Sequence, residues 1–400
     1  MRDLEFQATD WPETTLGDVC TFRGGSGFRE SHQGQSSGDH PFIKVSDLTI
    51  DGNEKYITTA QNWVSAAALR ELRATLQPAG AVVFAKVGAA LKLNRRRILG
   101  LPTAIDNNMM AAIPDKQQLD GEFLYYFLLM QDLGRFSQES AVPSVNQGHL
   151  SSIEISLPPL PEQRKIAEIL RTWDEALEKL TSLRAAKARR LDGLAAWLIH
   201  DEQAERLHLR DFLSEVSTRN HGQQVERVLS VTNSAGFVLA EDQFAHRVAS
   251  ADLSNYKIVR RGQYAYNPSR INVGSIARLD AWEDGALSPM YVVFRVRNGL
   301  DSDFFRHWLR SAEARQRIAL AAQGSVRETV SFGDLGSILI PVPTIERQQS
   351  ISRALNAGRE EIALIEAEIE ALTRQKRGLM QKLLTGEWRV NTTEATEVAQ

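Results

Sequence analysis

Two windows of this chain gather side chains that donate hydrogen bonds or carry positive charge, and neither holds an acid. Residues 81–100 contain Lys86, Lys92, Arg95, Arg96 and Arg97, and residues 257–279 contain Lys257, Arg260, Arg261, Arg270 and Arg278. Asn94 lies within the first window; Tyr264, Tyr266, Asn267 and Asn272 lie within the second. Arginine and asparagine can each make paired hydrogen bonds to guanine and adenine edges, worth about 1–3 kcal/mol of discrimination apiece. Lysines beside them neutralise phosphates and make binding steeply salt-dependent. The candidate contacts are Lys86, Arg95, Arg96 and Arg270, followed by Lys44, Lys92, Asn272 and Arg327. Arg327 follows Gly324-Ser325-Val326, a polar turn ahead of a closing strand, and could reach a phosphate or a base. A single basic run is usually a solvated face. What favours nucleic acid is that the two windows overlap when one half of the chain is laid on the other.

Other chemistries find little support. Asn267-Pro268-Ser269-Arg270 begins like the Asn-Pro-Pro-aromatic motif of amino-methyltransferases, but the aromatic that would stack on a flipped base is missing. No phosphate loop ending in Gly-Lys-Ser/Thr occurs. Gly24, Gly25 and Gly27 precede no clear helix and suit a flexible recognition loop better than a dinucleotide site. The eight histidines lack metal-ligand spacing. Glu175, Glu178 and Lys179 sit on a helical pattern as exposed charges rather than as a nuclease triad.

The elements that must carry the basic windows are organised by a stretch that occurs twice. Leu157-Pro158-Pro159-Leu160-Pro161-Glu162-Gln163-Arg164-Lys165-Ile166 reappears 185 residues later as Val342-Pro343-Thr344-Ile345-Glu346-Arg347-Gln348-Gln349-Ser350-Ile351. After each opening runs a seam of alternating four- and three-residue spacing. The first is Ile166, Leu170, Trp173, Leu177, Leu180, Arg184, Lys187, Leu191, Leu194 and Leu198. The second is Ile351, Leu355, Gly358, Ile362, Ile365, Ile369, Leu372, Lys376, Leu379 and Leu383. This is a heptad seam, and two seams in one chain predict helices that pack on each other. A helix over 166–198 would be roughly 50 Å long.

The segments before the helices repeat as well. Gly80–Val87 and Gly262–Tyr266 read as equivalent strands, and Asp120-Gly121-Glu122-Phe123 and Asp301-Ser302-Asp303-Phe304 as equivalent helix starts. In the first of these helices Phe123, Leu124, Phe127 and Leu128 form the expected buried stripe. The Phe22–His40 loop has no counterpart. The expected organisation is a recognition-type domain over 1–160, a long helix over 161–199, a second domain over 200–343, a second helix over 344–386 and a disordered tail over 387–400. The expected fold class is α+β: two tandem α/β domains separated by two long helices, with pseudo-two-fold character. Antiparallel helices would hold the domains a spacer apart, on the scale of one DNA turn, roughly 34 Å.

At 400 residues the chain suits two domains, and its one cysteine, Cys20, excludes an internal disulfide. No apolar run is long enough for a membrane span, and the first residues lack a signal-peptide core. A cytoplasmic protein is expected. The net charge of −3 argues against a uniformly basic binder but not against local basic faces.

The Leu-Pro-Pro-Leu-Pro-Glu-Gln-Arg opening at 157–164, its echo at 342–351, the Pro41-Phe42-Ile43-Lys44 and Tyr266-Asn267-Pro268 stretches and the domain–helix–domain–helix order are similar to the specificity subunit of type I restriction-modification systems. The resemblance spans about residues 14–388. The second opening departs from it, with Thr344 in place of a proline and Glu346-Arg347-Gln348 where Glu-Gln would be typical. The resemblance implies a non-catalytic reader of double-stranded DNA with a bipartite target, one half per domain. It implies an intramolecular antiparallel coiled coil that sets the spacer. Ile166, Leu170, Trp173, Leu177 and Leu180, with Ile351, Leu355, Ile362, Ile365 and Ile369, would form the helix-pair and partner interface. It implies docking of two methyltransferase subunits, which alone would bind S-adenosylmethionine, and of motor-nuclease restriction subunits. No metal, no cofactor and no membrane would be needed by the chain itself. Two other readings carry different tests: a coiled-coil adaptor that assembles proteins without reading DNA, and a methyltransferase fragment active by itself.

Overall fold

In the computed structural model the described residues are 10–136, 143–201, 203–243, 252–323 and 329–391. The chain forms two compact units: residues 1–180 with 368–400, and residues 181–367. Each holds one globular domain and a part of both long helices, which run Leu160–Ile199 and Ile345–Leu384.

The first unit is built on a five-stranded sheet in the order Cys20–Gly24, Met109–Pro114, Val82–Ala85, Arg96–Leu99, Tyr56–Ile57. The second is built on a four-stranded sheet in the order Leu213–Glu215, Val292–Val296, Tyr264–Tyr266, Ile276–Arg278. The shared four strands follow one plan, antiparallel throughout. A short outer pair also repeats: Glu13–Thr15 with Glu154–Ser156, and Arg206–His208 with Leu339–Pro341. The domains are therefore duplicates. The first adds a small sheet from His40–Ile43, Trp63–Val64, Leu76–Gln77 and Thr103–Ile105. The second adds the hairpin Leu229–Val231 with Phe237–Leu239, and the pair Lys257–Arg260 with Asp284–Leu287.

In each domain a helix crosses the sheet. Gly121–Met130 and Ser302–Leu309 are both N-capped by an aspartate, Asp120 or Asp301, whose carboxylate accepts from first-turn amides. The expected stripe of Phe123, Leu124, Phe127 and Leu128 is buried, and so are Tyr125 and Tyr126.

Each cap is tied to a long helix by a buried glutamine. The Gln163 side chain is 0% exposed. Its Oε1 accepts from Asp120 N at 2.8 Å, and its Nε2 donates to the carbonyls of Gln118 and Pro158, each at 2.8 Å. Gln348 repeats the arrangement: Oε1 accepts from Asp301 N at 2.7 Å, and Nε2 donates to Gly299 O at 3.1 Å and Pro343 O at 2.8 Å. One amide thus serves three backbone groups at the joint between cap and long helix. Thr344, the departure from proline, accepts through its carbonyl from Gln348 N at 2.9 Å and so begins the second helix. Gly386, at φ +73°, supplies the left-handed residue that ends it.

Within each unit the helix segments pack antiparallel. In the first, Ile166 and Leu170 share a core with Met380, Leu383 and Leu384. In the second, Leu191 and Ile199 share a core with Ile351 and Leu355. Trp173, Leu177, Leu180, Ile362 and Ile369 are half-buried, and Ile365 is buried. The polar seam positions are each matched by a carboxylate on the facing helix. Arg184 meets Glu366 at 3.3 Å, Lys187 meets Glu361 at 2.7 Å, and Lys376 meets Asp174. The first two pairs are exposed and worth about 0–1 kcal/mol each, so they fix register more than stability. Gly358 sits at a close crossing, where a Cβ would lie 2.6 Å from Leu191 Cδ1.

Two expectations need correction. Leu194 does not belong to the seam; it is 38% exposed. Over its last turns the first helix lies on the second domain's core with a broader face, Leu191, Ala195, Leu198 and Ile199, which follows the 3.6-residue helical period rather than the heptad. The tail expected to be disordered from residue 387 is held as far as Val390. Arg389 Nε donates to Glu162 Oε1 at 2.8 Å and its Nη2 to Glu162 Oε2 at 3.0 Å, and Val390 packs on the first core. Residues 392–400 lie outside the described residues.

Candidate nucleic-acid interface

In the first domain the strand Val82–Ala85 delivers its chain into the loop carrying Lys86, Lys92 and Arg95. That loop is anchored at both ends. Lys86 N donates to Asn108 O at 2.9 Å, Val145 N donates to Lys86 O at 2.9 Å, and Gly88 N donates to Pro143 O at 2.8 Å. The half-buried Lys86 lines an open cavity of about 540 Å³ with Gly24, Ser144, Asn146 and Gln147. Among the described residues no carboxylate pairs with the Lys86 ammonium. Lys92 and Arg95 are exposed. Lys44 reaches the same edge through the Asp106–Asn108 turn. Its Nζ donates to Gln33 Oε1 at 3.0 Å, and its charge acts on the Asp106 carboxyl, which burial holds above the usual carboxylate range.

Gly25 explains the glycines better than a flexible loop does. A Cβ there would lie 2.0 Å from Asp106 O, so the backbone packs directly on the neighbouring strand end.

Arg96 is corrected. Its side chain is among the largest that are fully buried, at 1% exposure. The guanidinium lies 5.0 Å from the Phe84 ring centroid and is held by the Asn94 side chain and the Arg95 carbonyl. Burial lowers its pKa to about 10. Strand pairing sets Arg96 opposite Phe84, so it points into the domain and cannot meet a duplex. Arg97 also turns inward, donating to Leu48 O at 2.7 Å.

In the second domain the equivalent strand, Tyr264–Tyr266, leads into the loop with Arg270 and Asn272, both exposed. It is anchored in the same manner, by Val330 N donating to Pro268 O at 3.0 Å. Tyr264 and Tyr266 are 0% exposed and belong to the core. Lys257 is buried on Tyr291 O at 2.7 Å, and Arg261 pairs with Glu283 at 2.9 Å. Arg327 lies outside the described residues.

The structure thus brings Lys86, Lys92, Arg95 and Lys44 to one domain's surface and Arg270 with Asn272 to the other's. The sequence reading missed Arg310 and Arg315, which line a cleft beside Asn272. Charge counting in a window around each strand could not reach them, because Arg310 caps the later helix Ser302–Leu309 and Arg315 stands on Ala312–Gln323. Among the described residues no group of acids, histidines and cysteines could hold a metal ion, and no helix is long and apolar enough to cross a membrane.

The domain is duplicated, and each copy presents cations on the loop after the same strand. Residues 8–187 match the family described as the type I restriction modification DNA specificity domain. A putative type I restriction enzyme MjaX specificity subunit from Methanocaldococcus jannaschii is 22% identical over 71% of this chain and 72% of its own length. The EcoR124I/EcoR124II specificity subunit of Escherichia coli is 24% identical over 44% of each. The crystal structure of the S subunit of a type I restriction-modification system from M. genitalium has a TM-score of 0.58 at 15% identity, over 96% of this chain and 98% of its own. A chain from a structural study of type I complex assembly and conformational transition has a TM-score of 0.57 at 16% identity, over 94% and 98%. The chain is thus similar over residues 8–187 to that family's domain, and it shares the fold of the two solved structures.

Proposed function

We propose that this chain is the sequence-reading subunit of a type I restriction-modification system. Its two domains, over about 1–160 and 200–343, each read one half of a bipartite DNA target. The paired helices set the length of unread sequence between the halves and dock two methyltransferase subunits, through which restriction subunits join. The chain itself performs no catalysis, and the methyl donor is bound by its partners. The observation that carries this reading is the repeated placement of cations. Lys86 and Arg95, and Arg270 beside Asn272, follow equivalent strands, and each loop is held by an equivalent bond, Val145 N to Lys86 O and Val330 N to Pro268 O.

Lys86, Lys92, Arg95 and Arg270 serve as phosphate contacts, and Asn272 as a base contact. In fluorescence anisotropy with a random-sequence duplex, the Lys86→Gln/Arg95→Gln chain should show a salt slope reduced by about 1.8, since each lost phosphate contact removes about 0.9. An unchanged slope would remove these two residues from the interface.

A further inference from the structure

The second domain carries a cleft of about 650 Å³ that the basic windows do not explain. One wall is the hairpin tip Thr232–Gly236, closed by Thr232 N donating to Gly236 O at 2.8 Å. A second wall is the turn Ile271–Val273. The third is made by the helices Ser302–Leu309 and Ala312–Gln323.

Four arginines line this cleft, and they divide in two. Arg278 pairs with Asp280 at 2.6 Å and with Asp303 at 2.8 Å. Arg306 pairs with the same two carboxylates, at 2.9 and 3.2 Å. Two cations and two anions close on each other. Arg310 and Arg315 are left over: among the described residues neither has a carboxylate partner. Arg315 Nη1 donates to Arg310 O at 2.9 Å, which holds one beside the other. Desolvation and, after it, the neighbouring Arg306 push the Arg310 pKa down against Tyr264 and Asp280. Where the walls meet solvent, Asn233, Ser234 and Asn272 are exposed. The cleft thus offers solvent two planar guanidinium forks, Arg310 and Arg315, both exposed, beside amide and hydroxyl groups. Guanidinium forks match the oxygens of a phosphate diester, and asparagine matches a base edge.

We propose that this cleft grips the sugar-phosphate backbone of one DNA strand, with Arg310 and Arg315 each on a phosphate and Asn233 and Asn272 at the adjoining base edges. The inference rests on the DNA-reading function above and adds a second backbone contact to the second domain. It is specific to that domain. At the corresponding places of the first domain stand Tyr125, for Arg306, and Leu129, for Arg310. Both side chains pack on that domain's own core.

The test is anisotropy titration of the full-length chain with a random-sequence 40-base-pair duplex across a sodium chloride series. Arg310→Gln/Arg315→Gln should lower the salt slope by about 1.8 and weaken binding near 0.1 M salt by up to about 60-fold. Arg310→Lys/Arg315→Lys should keep most of the slope, because a lysine still neutralises a phosphate. A thermal melt like that of the unaltered chain would show that folding is intact. If the glutamine pair keeps the full slope while Lys86→Gln/Arg95→Gln loses its share, the cleft is not a phosphate site and the DNA reading stands. If the unaltered chain shows no salt-dependent binding, the DNA reading falls and the cleft proposal falls with it.

Discussion

A Gln163→Leu chain should lose about 2–3 kcal/mol of local stability in its first unit, the cost of one unmet buried carbonyl at about 1–3 kcal/mol with two weaker, part-buried losses beside it. Leucine nearly matches the volume of glutamine, so the apolar contacts survive. What is lost is the amide that serves Asp120 N, Gln118 O and Pro158 O at 2.8 Å each. Pro158 is buried, so its carbonyl is the group that cannot reach water without opening the joint between the crossing helix and the long helix. Gln348→Leu should do the same in the second unit, through Asp301 N, Gly299 O and Pro343 O. A chain with two compact units need not unfold in one step, so the readout should be local. Native-state hydrogen exchange should accelerate across Gly121–Met130 and the start of the first long helix in Gln163→Leu, and across Ser302–Leu309 in Gln348→Leu. A leucine tolerated at either place with a change below about 1 kcal/mol would mean that the amide is not the joint.

Acidification should weaken the second unit through His307. This histidine is 2% exposed, and its Nε2 donates to Asn356 Oδ1 at 2.8 Å. The same oxygen accepts from Arg306 Nη2 at 2.9 Å, which leaves the neutral Nε2–H form as the one that fits. Burial lowers the His307 pKa to about 4, and the nearby Arg359, Arg306 and Arg310 push the same way against the Asn356 hydrogen bond. The folded pKa lies below the unfolded one, so the unfolded chain takes up the proton first. Stability is complete above about pH 6.5, falls as pH drops towards 4 and levels off below, for a loss of up to about 3 kcal/mol. His307→Gln keeps a donor for Asn356 and cannot titrate. Urea titrations followed by exchange at Ser302–Leu309 should show the unaltered chain losing stability between pH 7 and pH 4.5, with the variant losing much less. Equal losses would assign the pH dependence elsewhere.

How much of this was legible beforehand differs from residue to residue. The heptad seam could be read because spacing is a local property of the chain, and Ile166, Leu170, Ile351 and Leu355 are all buried. The duplication was legible for the same reason, down to the alignment of Gln163 with Gln348. The role of those glutamines was not, since Gln163 serves carbonyl and amide groups as far as 45 residues away in sequence. Arg96 was misread because charge alone does not say which face of a strand it occupies; pairing set it against Phe84. Leu194 was misread because the heptad was carried past the point where the helix leaves its partner for a domain core. Arg310 and Arg315 were overlooked because they lie beyond the window counted around the strand. Only the geometry shows that Asp280 and Asp303 are already taken by Arg278 and Arg306.

The central claim is that each domain reads its own half of a split target. The most direct measurement is selection of bound sequences from a random duplex pool, first with this chain and then with residues 1–160 exchanged for those of a relative. Two fixed stretches separated by unread bases should emerge, and the exchange should alter one of them while leaving the other and its strand orientation unchanged. A single uninterrupted motif, or a change in both stretches at once, would contradict it.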